Sequence, residues 1–248
     1  MLNLLRAEGY KLRRSKLFYI TLGCVVILTV IAVLQSSIGA EPDKGSGQAN
    51  LVLRVYYPFH EVGLLPSMLP AFQAVFITMF LTAEFGTGTI RDAVVLGYRR
   101  VPIYLSKLAI ASFGSVVMLA AALFSAFAAA FLVVGRSALF SFTELLALLR
   151  SMSVLVLLFL AFASLFVMLA FLIRNTGGTM AVCLGVILVC GFAVSGAGRN
   201  WWPMMHISNV AVPNPDGGAI RWAVFVAFVY LSGCSIAGGI LFSKQDIK

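Results

Sequence analysis

Six apolar runs, each about long enough to cross a bilayer, divide this 248-residue chain. A hydrocarbon core about 30 Å thick takes roughly 20 helical residues, and a backbone in lipid must satisfy its own N–H and C=O groups. Runs of this length therefore read as membrane-spanning helices, at about 17–38, 64–83, 105–134, 151–173, 179–198 and 220–242. The composition agrees: 61% of residues are hydrophobic and 11% charged, against about 45–50% and 25% in soluble domains. The expected fold is all-α and polytopic, one transmembrane domain over residues 1–248.

The net charge of +9 does not point to nucleic acid, because the bases sit at the ends of apolar runs rather than on a soluble face. They orient the chain instead. With the N-terminus inside, Arg6, Lys11, Arg13, Arg14, Lys16, Arg91, Arg99, Arg100, Lys107, Arg174, Lys244 and Lys248 are cytoplasmic, while Lys44, Arg54, Arg136, Arg150, Arg199 and Arg221 are outside. The positive-inside rule then places both termini in the cytoplasm. Glu144 and Arg150 would each cost about 2.5–3.5 kcal/mol at the bilayer centre, so they are read as interfacial, with the fourth span starting near 151.

Residues 1–16 mix Leu2, Leu5, Tyr10 and Leu12 with Arg6, Lys11, Arg13, Arg14 and Lys16, a composition suited to a helix lying in the inner interface. The segment Ser37-Ile38-Gly39-Ala40 resembles a cleavage site, but the preceding apolar run exceeds the roughly 7–15 residues of a signal sequence and Ile38 is bulky where a small residue is wanted. Ala122, Ala126 and Ala130 repeat at four-residue spacing, and Gly233/Ala237 and Ser235/Gly239 form similar pairs; such stripes let helices approach closely. Arg174-Asn175-Thr176-Gly177-Gly178 reads as a tight turn. Cys24, Cys183, Cys190 and Cys234 all lie in apolar runs and read as small hydrophobes.

The polar segment 84–104 between the second and third spans is the region of most functional interest. Glu84 ends an apolar run, Gly86, Thr87 and Gly88 break it, and Thr89 with Asp92 has capping-box spacing for a short cytoplasmic helix that Gly97 stops. Arg91, Arg99, Arg100 and Lys107 give the segment a positive face, and Tyr104 is read as a headgroup-level anchor.

Common hydrolytic motifs are missing, and so is the glycine-rich nucleotide loop that ends in Gly-Lys-Ser/Thr, so any dependence on ATP must be borrowed from a partner. The spans hold almost no ionisable groups, which disfavours an ion-coupled carrier. His60 and His206 fall in predicted outer loops, where they read as interfacial polar residues rather than metal ligands. No cofactor is expected in the chain.

The segment and the N-terminus together resemble the permease subunits of type-2 ATP-binding-cassette (ABC) exporters. Glu84, Gly88 with Thr89, Arg100 and Lys107 match that family's loop, although Arg99-Arg100 stands where Ser-Arg is often found. Glu8-x-x-Lys11-Leu12-x-x-Ser15 resembles the subgroup with lantibiotic-immunity permeases. The resemblance implies six spans, a cytoplasmic coupling helix built on Glu84, Gly88, Thr89, Arg91, Asp92, Val94, Leu96, Arg99, Arg100 and Lys107, and a dimer with a second or homologous permease. It also implies a separate cytoplasmic ATPase dimer that binds ATP and magnesium, and a bacterial plasma membrane. Apolar, small-residue walls suit an amphiphilic cargo, a membrane-active peptide or a lipid. Tyr56, Tyr57, Trp201 and Trp202 are candidate cargo contacts or plain interfacial anchors. The alternatives are an ATP-independent immunity protein that binds its target in the membrane, and a lipid-modifying enzyme using His60, Glu61 and His206.

Overall fold

The computed structural model describes residues 2–39, 65–89, 95–97, 99–134, 142–193, 200–211 and 215–244. Among them there are helices and no strands. The helices are α1 (Leu2–Arg14), α2 (Lys16–Gly39), α3 (Leu65–Gly86), α4 (Arg100–Val134), α5 (Phe142–Ile173), α6 (Thr176–Ala193), α7 (Pro203–Val210) and α8 (Gly217–Lys244). Five of them, α2, α3, α4, α5 and α8, are long and apolar enough to cross a membrane, and α6 contributes a shorter apolar helix.

Two helices outrun the spans read from the sequence. At 1.5 Å per residue, the 35 residues of α4 and the 32 of α5 reach about 50 Å, well beyond a 30 Å core. Thus α4 starts at Arg100 rather than near 105, and α5 begins nine residues before 151, with Arg150 exposed on its first turns. A charge there can stay in the interface while the helix continues through it, because the long apolar stem of an arginine lets its guanidinium reach water.

The centre of the bundle is α5, which packs against α3, α4, α6, α7 and α8. Its inward side chains Leu155, Leu158, Phe159, Phe162, Phe166 and Phe171 are buried with Phe76, Ile77 and Leu81 of α3. Close approach between α3 and α4 depends on Gly114, where a Cβ would stand 2.7 Å from the Phe76 ring. The alanine stripe behaves as read: Ala122, Ala126 and Ala130 are buried, and Ala126 and Ala130 pack with Val33 of α2. The glycine pairs of the last helix divide. Gly233 is exposed, and a Cβ there would meet nothing within 4 Å among the described residues, whereas a Cβ on Gly239 would stand 3.8 Å from Tyr104 and the closest approach is made one residue earlier, at Gly238.

The turn after α5 is shorter than the sequence suggests. Arg174 takes the left-handed conformation (φ 58), and Asn175 follows with its side chain accepting from the Gly177 N–H at 3.1 Å. Thr176, Gly177 and Gly178 already belong to α6, because this cap satisfies a donor at the new helix start. Polar bonds hold α3 to its neighbours inside the bundle: Gln73 Nε2 donates to the Phe159 carbonyl at 2.8 Å, and Thr82 bonds Thr176 at 2.9 Å.

Candidate functional site: a buried ring of charges behind the connecting segment

Three elements converge just behind the segment that joins α3 to α4. On α1, Glu8 lies one turn before Leu12, so the two share a face. Packing Leu12 into the core therefore carries the Glu8 carboxylate inward with it. Glu84 sits two residues before the end of α3, and Lys107 lies two turns into α4. The side chains of Glu8, Glu84 and Lys107 are 7%, 11% and 3% exposed, while Lys11 keeps 42% of its side chain in contact with the surroundings.

The four groups close a ring in which each carboxylate uses its two oxygens for different ammoniums. Lys107 Nζ meets Glu8 Oε2 at 2.7 Å and is hydrogen-bonded to Glu84 Oε2. Lys11 Nζ meets Glu8 Oε1 at 3.2 Å and Glu84 Oε1 at 3.4 Å. Two positive and two negative charges balance, which is what makes their removal from water tolerable. Burial disfavours the charged form of Lys11, but the fields of Glu84 and Glu8 and their hydrogen bonds outweigh it, so the ammonium is held above the usual lysine range.

Glu84 also anchors the connecting segment through its backbone. Its carbonyl accepts from the Thr89 hydroxyl at 3.2 Å and from the Thr87 hydroxyl at 3.4 Å, and the Thr87 N–H donates to the Ala83 carbonyl at 3.1 Å. These donors satisfy carbonyls that the end of α3 leaves unpaired. The Thr89 hydroxyl thus closes the preceding helix; its predicted capping partner Asp92 lies outside the described residues, as do Arg91 and Val94. Gly88 and Gly97 both take positive φ, 75 and 84, which glycine adopts without steric cost. Between them Val95 and Leu96 are 78% and 76% exposed, and Arg99 is exposed as well. Two well-exposed aliphatic side chains beside a base offer an apolar contact with a charged rim.

A second joint ties the start of α4 to the end of α8. Tyr104, read from the sequence as an interfacial anchor, is fully buried in the bundle; its ring packs against Phe171 at 5.1 Å, and Phe171 meets Phe242 at 4.8 Å. The Tyr104 hydroxyl donates to the Cys234 carbonyl at 3.4 Å and fills the space where a Cβ on Gly238 would stand. Arg100 Nη1 donates to the Ser243 carbonyl at 3.0 Å. The first two turns of α4 therefore grip α1 and α3 through Lys107 and α8 through Arg100 and Tyr104.

The family model described as ABC-2 family transporter protein matches residues 4–192. The chain belongs to the ABC-2 transporter family. No curated protein matches it at a significant level. The matched region takes in every member of the charge ring and both ends of the connecting segment. As an ABC-2 permease the chain is a membrane protein and the transporting component of its system, not itself the catalytic one, and membership implies an ABC ATPase partner.

The remaining candidates of the ABC-2 permease scatter. Tyr56, Tyr57, His60 and Glu61 lie outside the described residues. Trp201 is 49% exposed and packs edge-on against Trp222 at 5.4 Å, but Trp202 is buried between Phe162 and Tyr230. His206 is not in an open loop: it sits buried on α7, its Nε2 2.8 Å from the Asn200 carbonyl, which also accepts from Trp222 Nε1 at 2.7 Å. Proline at the first position of α7 and an apolar underside pull this segment onto α5 and α8.

Sequence reasoning missed Glu8 and Lys11 as members of the site, and Tyr104 with Gly238 as a joint. For Glu8 a signal exists: an acid three residues after Leu5 and four before Leu12 sits on the apolar stripe of an amphipathic helix, where it needs a cation. Nothing in the sequence pairs Tyr104 with Gly238.

Proposed function

We propose that the chain is the permease of an ATP-driven exporter in which the segment 84–104 seats in a groove of a separate ATPase and passes its movement to the spans. The observation that carries this reading is the double role of Glu84. Its carbonyl is bonded by the hydroxyls of the connecting turn and its carboxylate by both lysines of the buried ring, so a push on the turn reaches α1, α3 and α4 at once. Exposed Val95 and Leu96 supply the contact, with Arg91, Arg99 and Arg100 as the basic rim.

Six spans, with α6 completed as the fifth, and both termini in the cytoplasm complete the reading. Two permeases, identical or paired with a similar one, form the transport path between them. ATP binding closes the ATPases, and the closed state favours one arrangement of the spans through differential contacts at the connecting segment. The cargo is an amphiphile: a lantibiotic or other antimicrobial peptide exported for immunity or delivery, or a lipid-like molecule. Trp201, with Tyr56 and Tyr57, meets it on the outer side. A lipid-modifying enzyme loses support, since His206 is buried and hydrogen-bonded to the Asn200 carbonyl ahead of α7.

The test is to purify the tagged chain in mild detergent from its native membrane, identify what accompanies it and assay ATP hydrolysis. A stoichiometric ATPase whose transport coupling is lost in Leu96→Asp or Val94→Asp, with the chain still inserted, is the expected result. Transport unchanged by both substitutions removes the segment from the mechanism, and a chain purified without any ATPase removes the exporter reading.

A further inference from the structure

The basic residues of α1 divide into two sets in the fold. Lys11 turns toward the charge ring, whereas Arg6, Tyr10, Arg13 and Arg14 follow one another at i, i+4, i+7 and i+8. They form one stripe on the side of the helix opposite Glu8 and Leu12. All four are exposed. Glu8, the one acid on α1, is consumed by Lys107 and Lys11, and among the described residues neither Arg6, Arg13, Arg14 nor Lys16 pairs with a carboxylate. Folding has thus sorted a mixed helix into a neutralised inner face and an outer face of a single sign.

Two features set the level and direction of that outer face. Glu8 meets Lys107, and a Cβ on Gly9 would stand 3.9 Å from Ile110, so α1 runs beside the turns of α4 where its apolar run begins. That is the headgroup zone of a bilayer. Tyr19, 55% exposed and next to the exposed Ile20 on α2, donates its hydroxyl to the Arg13 carbonyl at 3.0 Å. The stripe therefore adjoins a side of α2 left exposed by the other described helices. Arg14 lies over the exposed Tyr10 ring at 5.2 Å, which holds its guanidinium along the stripe.

We propose that Arg6, Arg13, Arg14 and Lys16, framed by Tyr10 and Tyr19, form a binding surface for anionic phospholipid headgroups in the leaflet on the side of the connecting segment. Guanidinium forks match phosphate oxygens, and each base near an anionic surface strengthens attachment about fivefold. Because the other face of α1 carries the charge ring, lipid held by the stripe fixes the helix that braces Glu84 and Lys107. The anionic lipid content of the membrane thereby enters the stability of the site.

The test uses the full chain in nanodiscs of phosphatidylcholine alone or mixed equally with phosphatidylglycerol, with two readouts: thermal unfolding, and lipids retained in native mass spectra. Arg13→Gln/Arg14→Gln/Lys16→Gln removes three bases whose side chains make no ion pair among the described residues, so unfolding in phosphatidylcholine alone should match the parent and verify the fold. The parent should gain stability with phosphatidylglycerol and retain it selectively, and the triple variant should lose about a hundredfold in apparent affinity for it. Arg150→Gln/Arg221→Gln, which lowers the net charge by two elsewhere, should leave the preference intact. Equal retention by parent and triple variant overturns the proposal, as does equal loss in the control. A triple variant that keeps its lipid but no longer co-purifies with the ATPase assigns the stripe to a protein partner and overturns it too.

Discussion

Removing the Lys107 ammonium is the sharpest probe of the charge ring. Lys107→Met keeps the length and apolar stem of the side chain but leaves Glu8 and Glu84 with Lys11 alone. Lys107 is 3% exposed and touches an oxygen of each carboxylate, so the variant strands one net negative charge in a closed site. Stripping one partner from a buried ion cluster costs about 3–5 kcal/mol. At 1.4 kcal/mol per decade that is a fall of two to three and a half decades in the folded-to-unfolded ratio. Adding Glu84→Gln restores the charge balance, with Glu8 facing Lys11 at 3.2 Å and the amide still able to hydrogen-bond. The double variant should therefore recover most of the loss, with a coupling energy of about 2–3 kcal/mol between the two positions. Reversible unfolding in mixed micelles, followed by circular dichroism for parent, both single variants and the double, measures the cycle. Additive losses, or a Lys107→Met variant as stable as the parent, refute the idea that the ring is a single balanced unit.

The other expectations follow from neighbouring contacts. Gly238→Ala drives a methyl group into the fully buried Tyr104 ring, whose Cζ would be 2.7 Å away; overpacking of this kind costs about 1–3 kcal/mol. Tyr104→Phe should recover part of it by removing the hydroxyl, and a melting curve that shows no recovery dismisses the joint. Gln73→Leu loses the 2.8 Å bond to the Phe159 carbonyl and should destabilise by only about 0.6 kcal/mol, the average for such bonds between membrane helices; a loss of several kcal/mol in the same unfolding assay would contradict that. For Lys11 the folded ammonium is held above its usual value of 10.5, so its contribution is complete below pH 10.5 and is lost as pH rises through the folded value above it. Unfolding followed against pH should show no step from this group near neutrality, and a Lys11→Met variant should lose the alkaline one.

The sequence by itself determined the material and the plan of the molecule. Apolar runs of span length leave the backbone no alternative but helices, because lipid offers no hydrogen bonds, and α2, α3, α4, α5 and α8 appear where those runs lie. The segment from Glu84 to Lys107 was legible for a similar reason: glycines and threonines between two such runs must break the helix, and Gly88 and Gly97 do take the left-handed backbone that marks such breaks. Helix ends were less legible, since α4 and α5 carry on through polar residues at the membrane edge. What only the tertiary structure decided is which polar groups meet. Glu8 and Lys107 are 99 positions apart, and Tyr104 and Gly238 further still. In each pair one residue alone looks ordinary, an acid on an interfacial helix or a glycine in an apolar run. Only packing α1 and α8 onto the first turns of α4 makes the acid half of a buried ion pair and the glycine the seat of a ring, because the cost of a buried charge and the space for a side chain are set by neighbours distant along the chain.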